Sequence, residues 1–164
     1  MIKDLLVMLV ATVTITGCAG PTARIDPQAE RGAIAVWNFE DLSPGIKPAD
    51  EFGEFLSGAV VEIFQESDQY QVVEREKLVL ALEELNLGTS ALVDESTRLR
   101  LGRLMGTRWM VFGGYQVIGD SMRLDLRKVD VESGVVGKSS EKTVDSKNMP
   151  AWIAGAKAAA TELL

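Results

Sequence analysis

The chain has 164 residues, 46% of them apolar, which is enough for one domain with a substantial core. It contains no histidine and a single cysteine, which excludes histidine acid–base chemistry, His/Cys metal sites and an internal disulfide framework. Seventeen basic against 24 acidic residues leave a formal charge of −7, so attraction to nucleic acid or to an anionic bilayer is not expected as the main binding mode; the plainer role of such a surface is solubility.

Residues 1–17 predict a signal segment rather than part of the fold. Lys3 supplies a positive start, and the mostly apolar run from Leu5 to Ile15 is too short to span a bilayer as a mature helix. The run meets Ile15-Thr16-Gly17-Cys18, which looks like a bacterial lipobox. That resemblance implies cleavage before Cys18, diacylation of its sulfur, and, because Ala19 rather than aspartate follows, delivery to the outer membrane with the protein facing the periplasm. A cleaved signal followed by an incidental cysteine is the alternative. Acyl chains such as palmitate contribute about 0.8 kcal/mol per buried methylene, so more than one chain anchors durably. Residues 18–32 form the tether, with Pro21, Pro27, Gly20 and Gly32 and no periodicity. The fourteen residues from Ala19 to Gly32 reach at most about 50 Å, which keeps the domain of residues 33–164 close to its membrane.

Ala33 to Phe39 reads as a first buried strand, and a Pro- and Gly-containing loop follows from Asp41 to Asp50. From Pro48 a helix is expected, with Phe52, Phe55, Leu56, Ala59, Val60 and Ile63 forming its apolar stripe. An aromatic stripe at that spacing is read as a core face. Tyr70 to Val73 predicts a second strand, and Glu74 to Leu87 a second helix with Leu78, Val79, Leu82 and Leu85 inward. A third helix is capped by Asp94 or Ser96 and ended by Gly106, with Leu101, Leu104 and Met105 inward and Arg100 and Arg103 outward. Arg98, Arg100, Arg103 and Arg108 are the one basic concentration in this acidic chain; they are either a docking patch for an acidic partner or an ordinary solvated face.

Thr107 to Thr143 predicts an antiparallel three-stranded meander with turns at Gly119-Asp120 and Ser133-Gly134. Its first strand is apolar on nearly both faces, with Trp109, Val111, Tyr115 and Val117 opposite Met110, Phe112 and Ile118, and is therefore central. The second alternates through Met122, Leu124 and Leu126 until its apolar phase slips to Val129 and Val131, which predicts a bulge near Arg127 and Lys128. The third, Val135 to Val144, is thin and polar, as suits an edge. Asn148-Met149-Pro150 then starts a last helix with Trp152, Ala156, Ala159 and Leu163 inward. The expected fold is α/β: a single small sandwich, a mixed sheet ending in the meander and packed by about four helices.

The segments IAVWNF (34–39), YQVVEREKL (70–78), LGRLMGTRWMVFGGY (101–115) and MRLDLRKVDVESG (122–134) resemble the curli-secretion (CsgG-like) lipoprotein family. The wider superfamily includes LpoB-type penicillin-binding-protein activators, FlgO and TolB-like amino-terminal domains. The resemblance implies a lipid-anchored protein that works by protein contacts in envelope assembly, curli-type secretion or surface-structure assembly. Pore-forming members carry long amphipathic insertions in the meander. Here Ile118 to Ser121 is too short for a membrane-crossing strand pair, each strand of which needs about nine to eleven residues, so the chain alone is not expected to form a pore.

No catalytic constellation is visible. Glu83-Glu84 and Asp94-Glu95 diverge on a helix, and Gly113-Gly114 lacks the following Lys-Ser/Thr of a phosphate loop, so close packing of a helix or a bulge explains it better. The expectation is a non-enzymatic adaptor with no cofactor, metal, nucleic acid or small-molecule substrate. Its partners are the membrane, through Cys18, and envelope proteins or further copies of itself. A peptidoglycan-synthase activator and a ring-forming accessory subunit of a secretion or flagellar complex are the alternatives.

Overall fold

The computed structural model describes residues 32–44, 51–74, 77–78, 80 and 94–164. The signal segment, the lipobox, the tether up to residue 31 and most of the predicted helix over Glu74 to Leu87 lie outside them. The strands are β1 (Gly32–Val36), β2 (Glu40–Asp41), β3 (Tyr70–Val72), β4 (Trp109–Ile118), β5 (Ser121–Asp130) and β6 (Val136–Asp145). The helices are α1 (Glu51–Glu66), α2 (Glu95–Leu104) and α3 (Met149–Leu163). The sheet runs β3-β1-β4-β5-β6, with β2 also on β4. The strands β1, β2 and β3 join in parallel pairs with β4 or β1, and β5 and β6 extend the sheet antiparallel.

Two cores follow from the two apolar faces of β4. Val111 and Tyr115, with Trp109 and Val117 at their margin, pack with α1 and α3, whereas Met110 and Phe112 pack with Leu99 and Leu101 of α2. Ile118 lies beyond both layers and is exposed. The predicted first strand, Ala33 to Phe39, ends early at Val36, and a short strand, β2, follows where the sequence places its boundary and the start of a loop. Pairing with β4 stops at Val36 and resumes at Glu40, because Phe39 turns its ring onto Gly113, where a Cβ would lie 2.5 Å from a ring carbon. Leu42 likewise covers Gly114, at 2.8 Å from such a Cβ. The glycine pair is thus explained by close packing, but of these two side chains rather than of a helix. The break also docks α1, since the Phe39 amide donates to the Gly53 carbonyl at 3.2 Å.

An irregularity falls beside the predicted place, between Lys128 and Val129, but the extra residue is on the neighbouring strand and not on β5. Against β4 the register is regular along all of β5; the irregularity lies in the β5–β6 pairing, where Lys128 faces Lys138 but Val129 faces Val136, so the extra residue is Gly137 of β6. The change of apolar phase has another cause. Met122, Leu124 and Leu126 face the α1/α3 core, while Val129 and Val131 face the α2 core. Lys128 stays in phase with the first set and is buried: its Nζ donates to Tyr70 Oη at 2.6 Å and to the Leu163 carbonyl, above the rings of Tyr70 and Trp109. Lys128 thereby supplies a donor to a carbonyl at the α3 C-terminus, where backbone acceptors lack helical partners.

The turns are as expected, Gly119 and Gly134 having φ of 60° and 70°. Asp130 holds the second turn by accepting from the Ser133 amide at 2.9 Å. Two helix faces are rotated from the expectation. In α1, Phe64 is fully buried and Phe55 is exposed, because the inward arc is centred on Leu56, Val60 and Phe64, about a third of a turn from Phe55. In α2, Leu104 is exposed, and Arg98, Leu99, Leu101 and Gly102 are buried. The α3 stripe is as read, with Trp152 half-buried against Phe52 in an edge-to-face pair at 5.5 Å.

Gly113→Ala should lower stability by about 1–3 kcal/mol through overpacking against Phe39. Gly58→Ala, which meets nothing within 4 Å on the outer face of α1, should be neutral or stabilising by up to about 1 kcal/mol. Urea unfolding of the two variants beside the parent checks both signs.

Candidate functional site

Strict alternation in β5 places Arg123, Asp125 and Arg127 on the sheet face that carries α2. That helix is only ten residues long and covers the end of the face near Val129 and Val131. Past it the sheet is open, and Gly114 and Ser139 are too small to fill the space. The result is a groove of about 590 Å³, rimmed by Glu40, Leu42, Arg123, Asp125, Arg127 and Glu141 and floored in part by Phe112. Its charges are paired within β5, across to β6 and to α2. Arg123 reaches Asp125 at 2.8 Å and Glu141 at 2.9 Å, and Arg127 reaches Glu95 at 2.7 Å. The Asp125 hydrogen bond, with the charges of Asp125 and Glu141, holds the Arg123 guanidinium above its ordinary range. Exposed pairs of this kind contribute about 0–1 kcal/mol, so they can be exchanged for a partner's charges at small cost.

The four arginines singled out in the sequence are not one patch. Arg98 is withdrawn from solvent: it ion-pairs with Glu40 and lies over the rings of Trp37 and Phe112 at 5.6 and 5.8 Å, where it joins α2 to β2 and the segment leading into it. It shares the buried face of α2 with Leu99, Leu101 and Gly102, since its three-carbon stem packs as an apolar group while its head reaches a carboxylate. Arg100 and Arg103 are exposed one turn apart on α2. Arg103 Nε donates to the Val131 carbonyl at 3.2 Å, and Arg108 stacks over Trp109 at 5.5 Å. The fold brings Arg103 and Arg108 to a shallow hollow of about 320 Å³ with Gly106, Thr107 and Glu132. Cys18 and its preceding Ile15, Thr16 and Gly17 lie outside the described residues.

Sequence reasoning missed two features. The Arg123–Asp125–Glu141 cluster depends on β5–β6 pairing, which no local pattern carries. Lys128 had a usable signal, because the alternation of Met122, Leu124 and Leu126 already points it inward. Among the described residues no group of three acidic or thiol ligands is placed to hold a metal ion, and no helix is long and apolar enough to cross a membrane.

Two carboxylates order the backbone around this face. The hydroxyl and amide of Ser96 hold Asp94 below the ordinary carboxylate range, and the amide and hydroxyl of Ser133 do the same for Asp130. A lowered folded-state value means stability that is present above the unfolded value and lost as pH falls through the folded one. Asp94→Asn combined with Asp130→Asn keeps acceptors at the helix cap and the turn but removes the titration. The double variant should lose less melting temperature than the parent between about pH 5 and about pH 3, as read by thermal melts.

Residues 22–119 match the family described as "Curli production assembly/transport component CsgG". A comparison with curated proteins gives no match. Among solved structures, the fold is similar to the LpoB C-terminal domain from Salmonella enterica, at 18% identity over 70% of this chain and 83% of that one, with a TM-score of 0.57. It is also similar to lipoprotein GNA1162 from Neisseria meningitidis, at 15% identity over 71% and 84% with a TM-score of 0.57. LpoB from Escherichia coli matches at 15% identity over 88% and 83% with a TM-score of 0.52. At these identities the likeness is one of fold.

Proposed function

The chain belongs to the family of the curli production assembly/transport component CsgG, and on that premise we propose that it is a lipid-anchored assembly or transport factor of the cell envelope, acting through protein contacts rather than catalysis. The family match carries this reading. Cys18, behind its lipobox-like Ile15-Thr16-Gly17, is the proposed anchor in the outer membrane, with the domain facing the periplasm.

Within the described residues the domain supplies no membrane-crossing hairpin. β4 passes to β5 through Gly119 and Asp120 alone, and β6 passes to α3 through residues 146–148. The contact surface in this reading is the open groove. It is concave and carries both charge signs around an apolar floor, as suits a folded protein partner rather than a small polar molecule.

Cross-linking in intact cells followed by sizing tests the proposal. An adduct with a different envelope protein supports the adaptor role, whereas a ladder of self-adducts closing at a fixed number replaces it with a ring-forming subunit. Arg123→Gln with Arg127→Gln should abolish the partner adduct while the variant stays folded, as read by its thermal melt. An undiminished adduct moves the contact elsewhere. Cys18→Ser should shift the protein to the soluble fraction with an unaltered thermal midpoint, and continued membrane retention of that variant would remove the lipoprotein reading.

A further inference from the structure

We propose that the end of the domain where Gly32 enters the sheet docks on the anionic phospholipid surface beside its own anchor, through Arg103 and Arg108 and the apolar side chains of Leu104, Val135 and Val136. The proposal rests on the lipid-anchor reading of Cys18. Its first support is where the chain leads. Gly32 is the first residue of β1, and a Cβ on it would lie 3.5 Å from both the Arg108 side chain and the Trp109 ring. The tether therefore meets the domain at the arginine hollow. Gly32 is the fourteenth residue after Cys18, a contour of at most about 50 Å, and a flexible chain of that length spans about 20 Å on average. The membrane is thus present at high effective concentration from this side.

The second support is the surface itself. The topology gathers at this end the start of β4, the end of β5, the start of β6 and the C-terminus of α2. Leu104, Val135 and Val136 are 65%, 61% and 47% exposed there, without a core to enter. Arg103 and Arg108 stand at this end with Glu132, and Asp130 interacts with Arg108 from the end of β5, in a chain whose net charge is −7. Glu66 and Asp68 lie at the same end but across the sheet, beside β3, which tilts the contact toward the α2 side. A net-acidic body held over an anionic surface is drawn in through a corner where exposed arginines and apolar side chains stand together. Cations near such a surface and apolar side chains in the headgroup region both favour contact. The opposite end, with Leu42, Ile118 and Met149 exposed, then faces away from the membrane.

The test uses the full-length lipidated protein in vesicles of phosphatidylethanolamine and phosphatidylglycerol. A fluorophore is placed at Val135→Cys or, as the far-end control, at Met149→Cys, and quenching by a headgroup-level spin-labelled lipid is read. The expected result is strong quenching at position 135 and little at 149. Arg103→Glu with Arg108→Glu should lower the docked-to-undocked ratio by at least about thirtyfold, at about fivefold per cation removed, with the protein still vesicle-bound. Equal quenching at both positions overturns the proposal, as does quenching at 135 that survives the arginine reversal or the replacement of both lipids by phosphatidylcholine. A 135 label shielded only by an acidic envelope protein overturns it in favour of a protein interface. Mass spectrometry of the same preparation reads the acyl chains on Cys18 independently. An unacylated chain removes the anchor and the docking together, whereas an acylated chain with an unquenched 135 label removes the docking alone.

Discussion

A ten-residue strand that is apolar on both faces cannot be left half-covered, and β4 imposes that condition on the whole domain. One face takes α1 and α3, and the other takes α2. The strand must also accept neighbours at unusually short range. Gly113 and Gly114 admit Phe39 and Leu42 where any Cβ would collide, and this lets the first strand break, send an aromatic ring inward and rejoin the sheet as β2. The same break ties α1 to the sheet through Gly53. Phe39 is buried on the way, and full burial of a side chain of that size contributes about 1.5–3 kcal/mol.

Unequal cover on the two faces decides what is left for function. The α1/α3 layer is continuous, and Lys128 secures the end of it nearest Gly32 by joining Tyr70 to the last turn of α3 through the buried face of the sheet. The α2 layer is short, and Arg98 uses its charge internally against Glu40. Between them these facts leave a concave, charge-lined groove on one side of the sheet and two exposed arginines at one end of it. A fold with this economy suits recognition: the rigid sheet fixes the positions of the side chains, while weak exposed ion pairs remain available for exchange.

The domain also has a polarity that its topology creates. Parallel entry of β1 beside β4 puts Gly32 at the same end as the β5–β6 turn, and so sets which surface lies nearest to whatever residues 18–31 are attached to. The β4–β5 turn and the start of α3 lie at the other end, linked by the Ser146 hydroxyl on the Gly119 carbonyl at 3.1 Å. A protein with distinct near and far ends can bridge a membrane and a partner without moving parts.

Composition and local pattern determined a good deal by themselves. The glycine turns, the caps at Asp94 and Asn148 and the doubly apolar β4 are short-range signals with direct structural counterparts, while the lone Cys18 behind its apolar run lies outside the described residues. Local periodicity could not say which face of the sheet an apolar residue enters. It therefore took the change of phase at Lys128 for a bulge, when β5 simply serves a different core at each end. It assigned Leu104 inward and grouped Arg98 with the other arginines of a basic concentration, because whether a long-stemmed arginine is buried depends on whether Glu40, Trp37 and Phe112 are waiting opposite. The groove and the split of the arginines arise from pairings between residues far apart in the chain, and only the tertiary structure decides those, since register and layer order are set by packing rather than by propensity.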